Sequence, residues 1–431
     1  MKRSNYFIKT YFDDPVDEVS KNAKLLHRAG FTNRLMSGVY SFLPLGVKVL
    51  CKIENIVRKE MNNLGAQECL LPALQPRQIW DRTNRWEEMD DILFKFKGAG
   101  DRELTLGPTH EEVVTSVIAD IIQSHKDLPV LMYQIQTKFR NETRAKSGIL
   151  RGREFKMKDL YSFHSSQDEL DKFYKKVVVA YKNIFDEIGI GKSTFLTVAD
   201  GGAFSKVSHE FQTVTPAGED KIYKDENSGI AINEEIIDNE EVLKEFIPHY
   251  KIGDNKKYKS VNATEVGNIF KLSTKFSEPL KGTFKAEDGQ EKNVIMGCYG
   301  IGISRLMGTV VECLADKKGL NWPLNIAPFH IYLIGINADD TTKEIYNNLI
   351  SNGIEVLLDD RTVSIGNKLN EAELLGLPFR VVVSEKTLAR GKSFVEVQTR
   401  DNMKIEIIEV NTLIKNIKNK LTNDEGDRYE L

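Results

Sequence analysis

Apolar and polar positions alternate from Tyr133 to Glu142. Tyr133, Ile135, Thr137 and Phe139 fall on one side, and Gln134, Gln136, Lys138, Arg140 and Glu142 on the other. Period 2 predicts a half-buried strand on which Arg140 and Glu142 point the same way. Thr143 to Gly152 interrupts the pattern with two glycines and with Arg144, Lys146 and Arg151. A second run, Arg153 to about Phe163, places Phe155, Met157 and Tyr161 on a common face if extended. Upstream, Val47, Leu50, Ile53, Val57, Met61 and Leu64 recur at helical spacing, and Gly65 suits the end of that helix. QECLLPAL, which follows, reads as an edge or interrupted strand, because Pro72 cannot donate to a ladder. Residues 165–196 read as largely helical, ending at Gly189 and Gly191.

Beyond WPLNIAPFH the pattern changes. HIYLIGI, IEVLLDD, FRVVVS and FVEVQTR are short β-rich segments; helical stretches near 341–352 and 366–376 separate the first three, and a last helix lies near 409–420. Such alternation implies right-handed crossovers and a mostly parallel sheet.

The chain has 431 residues, enough for two or three domains, and 41% hydrophobic with 29% charged residues is an ordinary globular composition. A net charge of −3 makes any nucleic-acid contact a matter of local patches. One such patch lies between Lys138 and Lys158, with eight basic and two acidic residues. Cys51, Cys69, Cys298 and Cys313 lack CxxC spacing, so neither a zinc site nor a disulfide framework is expected. With no signal-length apolar core and no run of about 20 apolar residues, a cytoplasmic chain without membrane contact is expected.

On composition alone the basic hairpin is equally a solvated surface or a polyphosphate site, where arginine offers paired donors to phosphate oxygens. At Pro108-Thr109-His110-Glu111-Glu112, Thr109 and Glu112 have the spacing of a capping box opening the helix VVTSVIADII; Glu111 is not needed for it. His209, alone in a strand-like segment, reads as a structural partner. GCYGIGISRL, residues 297–306, is not a dinucleotide fingerprint, since Arg305 replaces the third glycine. Its glycines suit either close ligand approach or tight packing.

FRNE, a basic loop and RGREF resemble motif 2 of the class II aminoacyl-tRNA synthetases, and KMKDLYSFH resembles the prolyl version. LGPTHEE at 106–112 and MGCYGIGISRL at 296–306 agree with it; the long helix, strand and Pro72 resemble motif 1. The resemblance covers nearly the whole chain except about Glu219 to Val261. It implies an α/β fold whose α+β catalytic core is an antiparallel sheet with flanking helices, followed by a C-terminal α/β anticodon-binding domain. The implied divisions are a catalytic domain over 1–218, a reduced insertion over 219–262 in place of an editing domain, a continued catalytic domain over 263–326 and the anticodon-binding domain over 327–431.

The same resemblance implies the substrates and the site. ATP, L-proline and tRNA(Pro) would bind, with Mg2+ and a homodimer. Thr109, Glu111, Arg140, Met157, Tyr161 and Cys298 would hold proline; Cys298 also reads as a small buried apolar residue. Arg140, Glu142, Arg151, Phe155, Gln212, Thr215 and Arg305 would hold ATP, with Gln212 near the metal and Arg305 stacking on adenine opposite Phe155. Arg140, Glu142 and Arg305 would be catalytic. Arg144, Asp360, Arg361 and Lys368 would meet the tRNA. Two other readings compete. A related synthetase for threonine is disfavoured by the lack of zinc ligands and by the TxE loop. A non-catalytic synthetase-like nucleic-acid-binding protein is disfavoured because Arg140, Glu142, Phe155 and Arg305 all remain.

Overall fold

The computed structural model describes all residues except 8, 146, 203–206, 226–229, 248–249, 252 and 427–431, so Lys146 of the basic loop lies outside the described residues. Nine strands form the principal sheet: β1 (Gln67–Glu68), β2 (Val130–Phe139), β3 (Glu154–His164), β4 (Thr194–Asp200), β5 (Val207–Val214), β6 (Asp220–Lys224), β7 (Ile230–Asn233), β8 (Lys259–Ser273) and β9 (Ile295–Gly302). Their spatial order is β5-β4-β7-β6-β8-β9-β3-β2-β1. Pairing is antiparallel except between β4 and β7 and between β1 and β2.

Three long helices cover one face of this sheet: α1 (Pro44–Asn63), α3 (Gln167–Ile188) and α4 (Ile303–Leu314). Pro44 opens α1, where a missing N–H costs nothing, and Gly65 follows it at φ +82. Ser166 accepts from the Glu169 N–H to start α3, and Gly189 ends it at φ +91. Val49, Ile53 and Val57 of α1 join Tyr181, Ile184 and Phe185 of α3, Met307 and Val310 of α4, and Tyr133, Leu160 and Tyr299 of the sheet in one buried core. The opposite face carries α2 (Glu111–Ile121) and a second core containing Val114, Ile118, Tyr161, Phe163, Met296 and Cys298.

The alternation in β2 therefore sorts its sides correctly, but the strand is not half-buried with a wet polar side. Gln134 and Lys138 are both at 0% exposure, because the segment 71–72 and the loop before α2 cover that face. Within QECLLPAL, Gln67–Glu68 form β1 at the sheet edge, and its last residue opens Leu74–Pro76, a strand of a separate three-stranded sheet.

The polar stretch 219–262 is woven into the main sheet. Its strands β6 and β7, together with β4, β5 and the first part of β8, close into a ring, since β8 pairs with both β6 and β5. Ile222, Ala231 and Ala263 are buried within this group.

The C-terminal sheet has the order β11-β10-β12-β13-β14, from β10 (Ile331–Ile336), β11 (Val356–Asp359), β12 (Phe379–Ser384), β13 (Phe394–Thr399) and β14 (Ile405–Glu409). Only its first three strands are parallel; β13 and β14 turn back antiparallel. The expected mostly parallel sheet is thus half of the observed one, and β14 was not expected. Helices Asp339–Ser351, Ile365–Leu375 and Val410–Gly426 accompany these strands. The first core continues into this region through Tyr332, Leu357 and Leu375. The amino-terminal segment also reaches it: Lys2 bridges to Leu358, and Arg3 forms a buried ion pair with Glu371 at 2.6 Å.

Candidate active site

On the face of the sheet opposite α1, α3 and α4, segments from four parts of the chain meet at Glu111. Its carboxylate accepts from Thr109 Oγ1 at 2.6 Å, from Tyr161 Oη at 3.3 Å, from the Cys298 thiol at 3.2 Å and from Arg85 Nη1 at 3.2 Å. Burial pushes the Glu111 carboxyl up, but the Arg85 guanidinium and the donors on Thr109 and Cys298 outweigh it and hold the pKa below the ordinary value. Glu111 is a buried anion wrapped in donors.

The capping box does not form. His110 occupies the N-cap position of α2 without a side-chain cap, and Thr109 turns to Glu111 instead. Glu112 turns to Arg85 Nη1, at 2.9 and 3.1 Å, and accepts from Thr83 Oγ1. A buried guanidinium is a stronger partner for a carboxylate than a backbone N–H, which is why the local rule loses. Burial and the neighbouring Glu111 raise the pKa of Glu112 despite Arg85. Arg85 also lies over the rings of Trp80 and Phe276, at 5.3 and 5.1 Å.

Arg140 emerges from the end of β2, 5.3 Å over the Phe155 ring. With Glu142, Leu150, Arg151, Glu219, Asp220, Thr264, Glu265 and Arg305 it lines a cleft of about 180 Å³. Burial and the nearby Arg305 guanidinium lower the pKa of Arg140. Arg151 donates to Glu142, at 2.8 and 3.0 Å, and to Glu219 at 3.1 Å. Arg305 donates to the Leu150 carbonyl at 2.8 Å and to the Glu265 carbonyl at 2.6 Å. Three guanidiniums and four carboxylates thus line the cleft, with Arg151 and Arg305 paired to the acids and Arg140 against the Phe155 ring, so a charged planar ligand would meet both an aromatic face and arginine donors.

Beyond this cleft, Gln212 is buried, donating to Glu210 Oε2 at 2.9 Å and Asp220 Oδ2 at 2.8 Å. Its Oε1 has no protein partner. Burial, then Glu265, raise the Glu210 carboxyl to about 8. Thr215 is buried near the turn after β5 and caps that turn through Ala217 N–H. Among the described residues, no group of three or more His, Cys, Asp or Glu is arranged to hold a metal by itself.

The remaining predicted residues are placed as follows. Met157 is partly buried on the site face, near Gly300, where an added Cβ would lie 3.7 Å from its Cε. Gly297 serves packing, because a Cβ there would sit 2.2 Å from Tyr299 Oη. His209 bonds to Tyr174 Oη at 2.8 Å, as a structural partner does. Arg144 is exposed on the loop. Far from all of these, Asp360 accepts from the backbone and hydroxyl of Ser4, Arg361 is held by Asp359 and Glu371, and Lys368 donates to the Asp359 carbonyl.

Sequence reasoning passed over Arg85, Lys138 and Asp159, all buried here. Arg85 stands in a charged run, NRWEEMD, that carries no motif, and its partners Glu111 and Glu112 are more than twenty positions away. Lys138 had only its place on the polar side of β2 to mark it.

Residues 94–313 match the family of class II tRNA synthetase core domains for G, H, P, S and T, and residues 329–420 match the anticodon-binding domain family. A proline–tRNA ligase of Rickettsia bellii is 37% identical over 423 residues, covering 95% of this chain and 97% of the relative. One from a Sulfurihydrogenibium species is 33% identical over 563 positions, covering 97% of this chain and 99% of the relative. A Giardia lamblia prolyl-tRNA synthetase in complex with prolyl-adenylate has the same fold, with a TM-score of 0.77 at 20% identity, covering 94% of this chain and 78% of that one. A Cryptosporidium parvum prolyl-tRNA synthetase complexed with L-proline and AMP superposes at a TM-score of 0.76 and 17% identity, over 97% and 78% of the two chains. By full-length identity and by both domain matches, the chain belongs to the proline–tRNA ligases, class II aminoacyl-tRNA synthetases with an anticodon-binding domain.

Proposed function

We propose that the donor-wrapped Glu111 is where this ligase recognises the imino nitrogen of proline. That convergence on one buried carboxylate is the observation that carries the reading. A secondary ammonium has two N–H donors, matched by Glu111 and Thr109. Met157, Tyr161 and Cys298 wall the ring. Arg140 then spans the proline carboxylate and the α-phosphate of ATP, with adenine between Phe155 and Arg305 and the remaining phosphates near Arg151. Glu142 takes the adenine or ribose side.

In the first step a proline carboxylate oxygen attacks the α-phosphorus, and the bond to pyrophosphate breaks. In the second, the terminal ribose 3′-hydroxyl of tRNA(Pro) attacks the activated carbonyl and AMP leaves. No protein nucleophile is required, so positioning and charge stabilisation carry the rate. The orphaned Oε1 of Gln212 is a buried oxygen with no protein donor, the kind of ligand that suits Mg2+. Gln212 and Thr215 would face it beside the nucleotide, where it would neutralise polyphosphate charge.

On the tRNA side, exposed Arg144 would meet the acceptor end. Arg361, at a strand end beside Asp360, would edge the anticodon surface, with Lys368 supporting it from below. A homodimer through α1 and the segment after it is supported by exposed apolar Val47, Leu70 and Leu74. Among the described residues no helix is long and apolar enough to cross a membrane.

Proline-dependent ATP–pyrophosphate exchange, run against threonine, alanine and cysteine, tests the substrate directly. Glu111→Gln should raise the Michaelis constant for proline by at least about tenfold and leave that for ATP nearly unchanged. Equal rises in both would mean that the loop had collapsed and that Glu111 has no special role.

The region 219–262 is proposed as a reduced insertion without editing activity. The Sulfurihydrogenibium alignment spans 563 positions, which 431 residues fill only with long gaps. What remains here is two strands of the main sheet and a small cluster around Ile236, Val242 and Leu243. About 40 residues without disulfide or metal rarely make an independent hydrolytic pocket. Alanyl-tRNA specific for proline should therefore survive incubation with the protein at its uncatalysed rate. Faster loss, abolished by deleting residues 225–255, would show that this short segment edits.

A further inference from the structure

Beneath the loop that carries Thr109 and Glu111 lies a second buried polar group that contributes nothing to the cleft. Lys138 Nζ is 2.6 Å from His110 Nδ1 and 2.9 Å from Asp159 Oδ2. Gln134 Nε2 donates to the same carboxylate at 2.9 Å, and its Oε1 accepts from the Leu71 N–H at 3.0 Å. His110 Nε2 is 3.1 Å from the Pro72 carbonyl, and the His110 backbone N–H donates to Tyr161 Oη at 3.1 Å.

The protons in this chain are determined by its chemistry. An ammonium has no acceptor, so His110 Nδ1 must accept from Lys138. The imidazole proton then sits on Nε2, where the Pro72 carbonyl takes it. Every ring position is used, and the imidazole is neutral. Burial, then the Lys138 charge, lower the His110 pKa to about 4, in keeping with that tautomer. The ring is pinned on one side by a strand of the sheet and on the other by the segment 71–72. Its own backbone reaches the hydroxyl that contacts Glu111.

We propose that Lys138, held by Asp159, is a positioning residue that acts through His110 to hold the Thr109–Glu111 loop in its proline-accepting shape. The inference rests on the reading of that loop as the proline site. Without the ammonium, Nδ1 becomes a buried acceptor with no donor, and the ring gains nothing by keeping its orientation. Rotation of His110 would loosen the residues on both sides of it. Arg151 and Arg305 are held by Glu142, Glu219, Leu150 and Glu265, all outside this group, so nucleotide binding should be spared.

The test is proline-dependent ATP–pyrophosphate exchange on the full chain, with Lys138→Met, the double variant Lys138→Met/Asp159→Asn, and Glu111→Gln in parallel. The single variant leaves Asp159 buried and uncompensated and is the one at risk of misfolding. The double variant removes both charges and keeps the inference testable. Both should raise the proline Michaelis constant by about 10- to 100-fold while that for ATP stays within about threefold. A double variant with a native-like melt and a proline constant within about twofold of wild type would overturn the proposal, as would a parallel rise in both constants. If Glu111→Gln raises the proline constant and the Lys138 variants do not, only this inference fails. If Glu111→Gln is itself without effect, the loop reading fails.

Discussion

Arg140→Ala should abolish prolyl-adenylate formation and leave the protein folded. Arg140 sits beside Phe155 in the cleft, near the like charge of Arg305, and its pKa is lowered by burial and by that neighbour. The folded chain thus gains little from this guanidinium. On the proposed reading its role is to meet an anion that arrives with the substrates. Losing one pre-organised donor at a reacting centre costs about 10²–10³ in rate, or about 2.7–4 kcal/mol, and more when the same group spans both reactants. Exchange activity should fall by at least that factor. The melting temperature should stay the same or rise slightly, since a repulsion with Arg305 is removed. Wild-type exchange rates in a variant that melts normally would remove Arg140 from the mechanism.

Arg85→Met has the opposite character, because Arg85 serves the fold first. One guanidinium holds two adjacent carboxylates, Glu111 and Glu112, all three essentially without solvent exposure. Methionine fills comparable space but leaves two buried carboxylates without their cation. Breaking such a group typically costs about 3–5 kcal/mol. The pH dependence separates this cause from lost packing. In the variant the pair's folded-state pKa is raised above the unfolded value, so the variant binds protons more readily when folded. Its stability deficit must therefore grow as pH rises above the carboxylate range and shrink as pH falls toward it. Urea denaturation at pH 5 and pH 8 should show the larger deficit at pH 8, and adding Glu112→Gln should recover part of it. A deficit equal at both values would assign the loss to packing alone.

The chain's periodicities and motifs determined much of this without a structure. The spacing of Val47 to Leu64 and the terminating Gly65 specify α1, because a helix needs only local spacing and a residue tolerant of positive φ. Strict alternation separates the two sides of β2 for the same reason. Motif residues far apart in the chain come together: Glu111 against Cys298, Arg140 near Arg305.

Tertiary structure decided the rest, and always through a partner distant in sequence. Alternation says which residues share a side, not what covers that side, so Gln134 and Lys138 looked wet until a loop closed over them. Thr109 and Glu112 satisfy a capping rule within four residues, but Arg85, from a remote segment, offers Glu112 a stronger bond. The polar composition of 219–262 disguised two strands, since a short strand inside a closed ring needs few apolar residues of its own. Asp360, Arg361 and Lys368 looked free at a strand end, yet Ser4, Glu371 and Asp359 engage them. Charged residues are written alike in sequence whether solvated or buried; only the fold supplies the counter-charge that makes burial affordable.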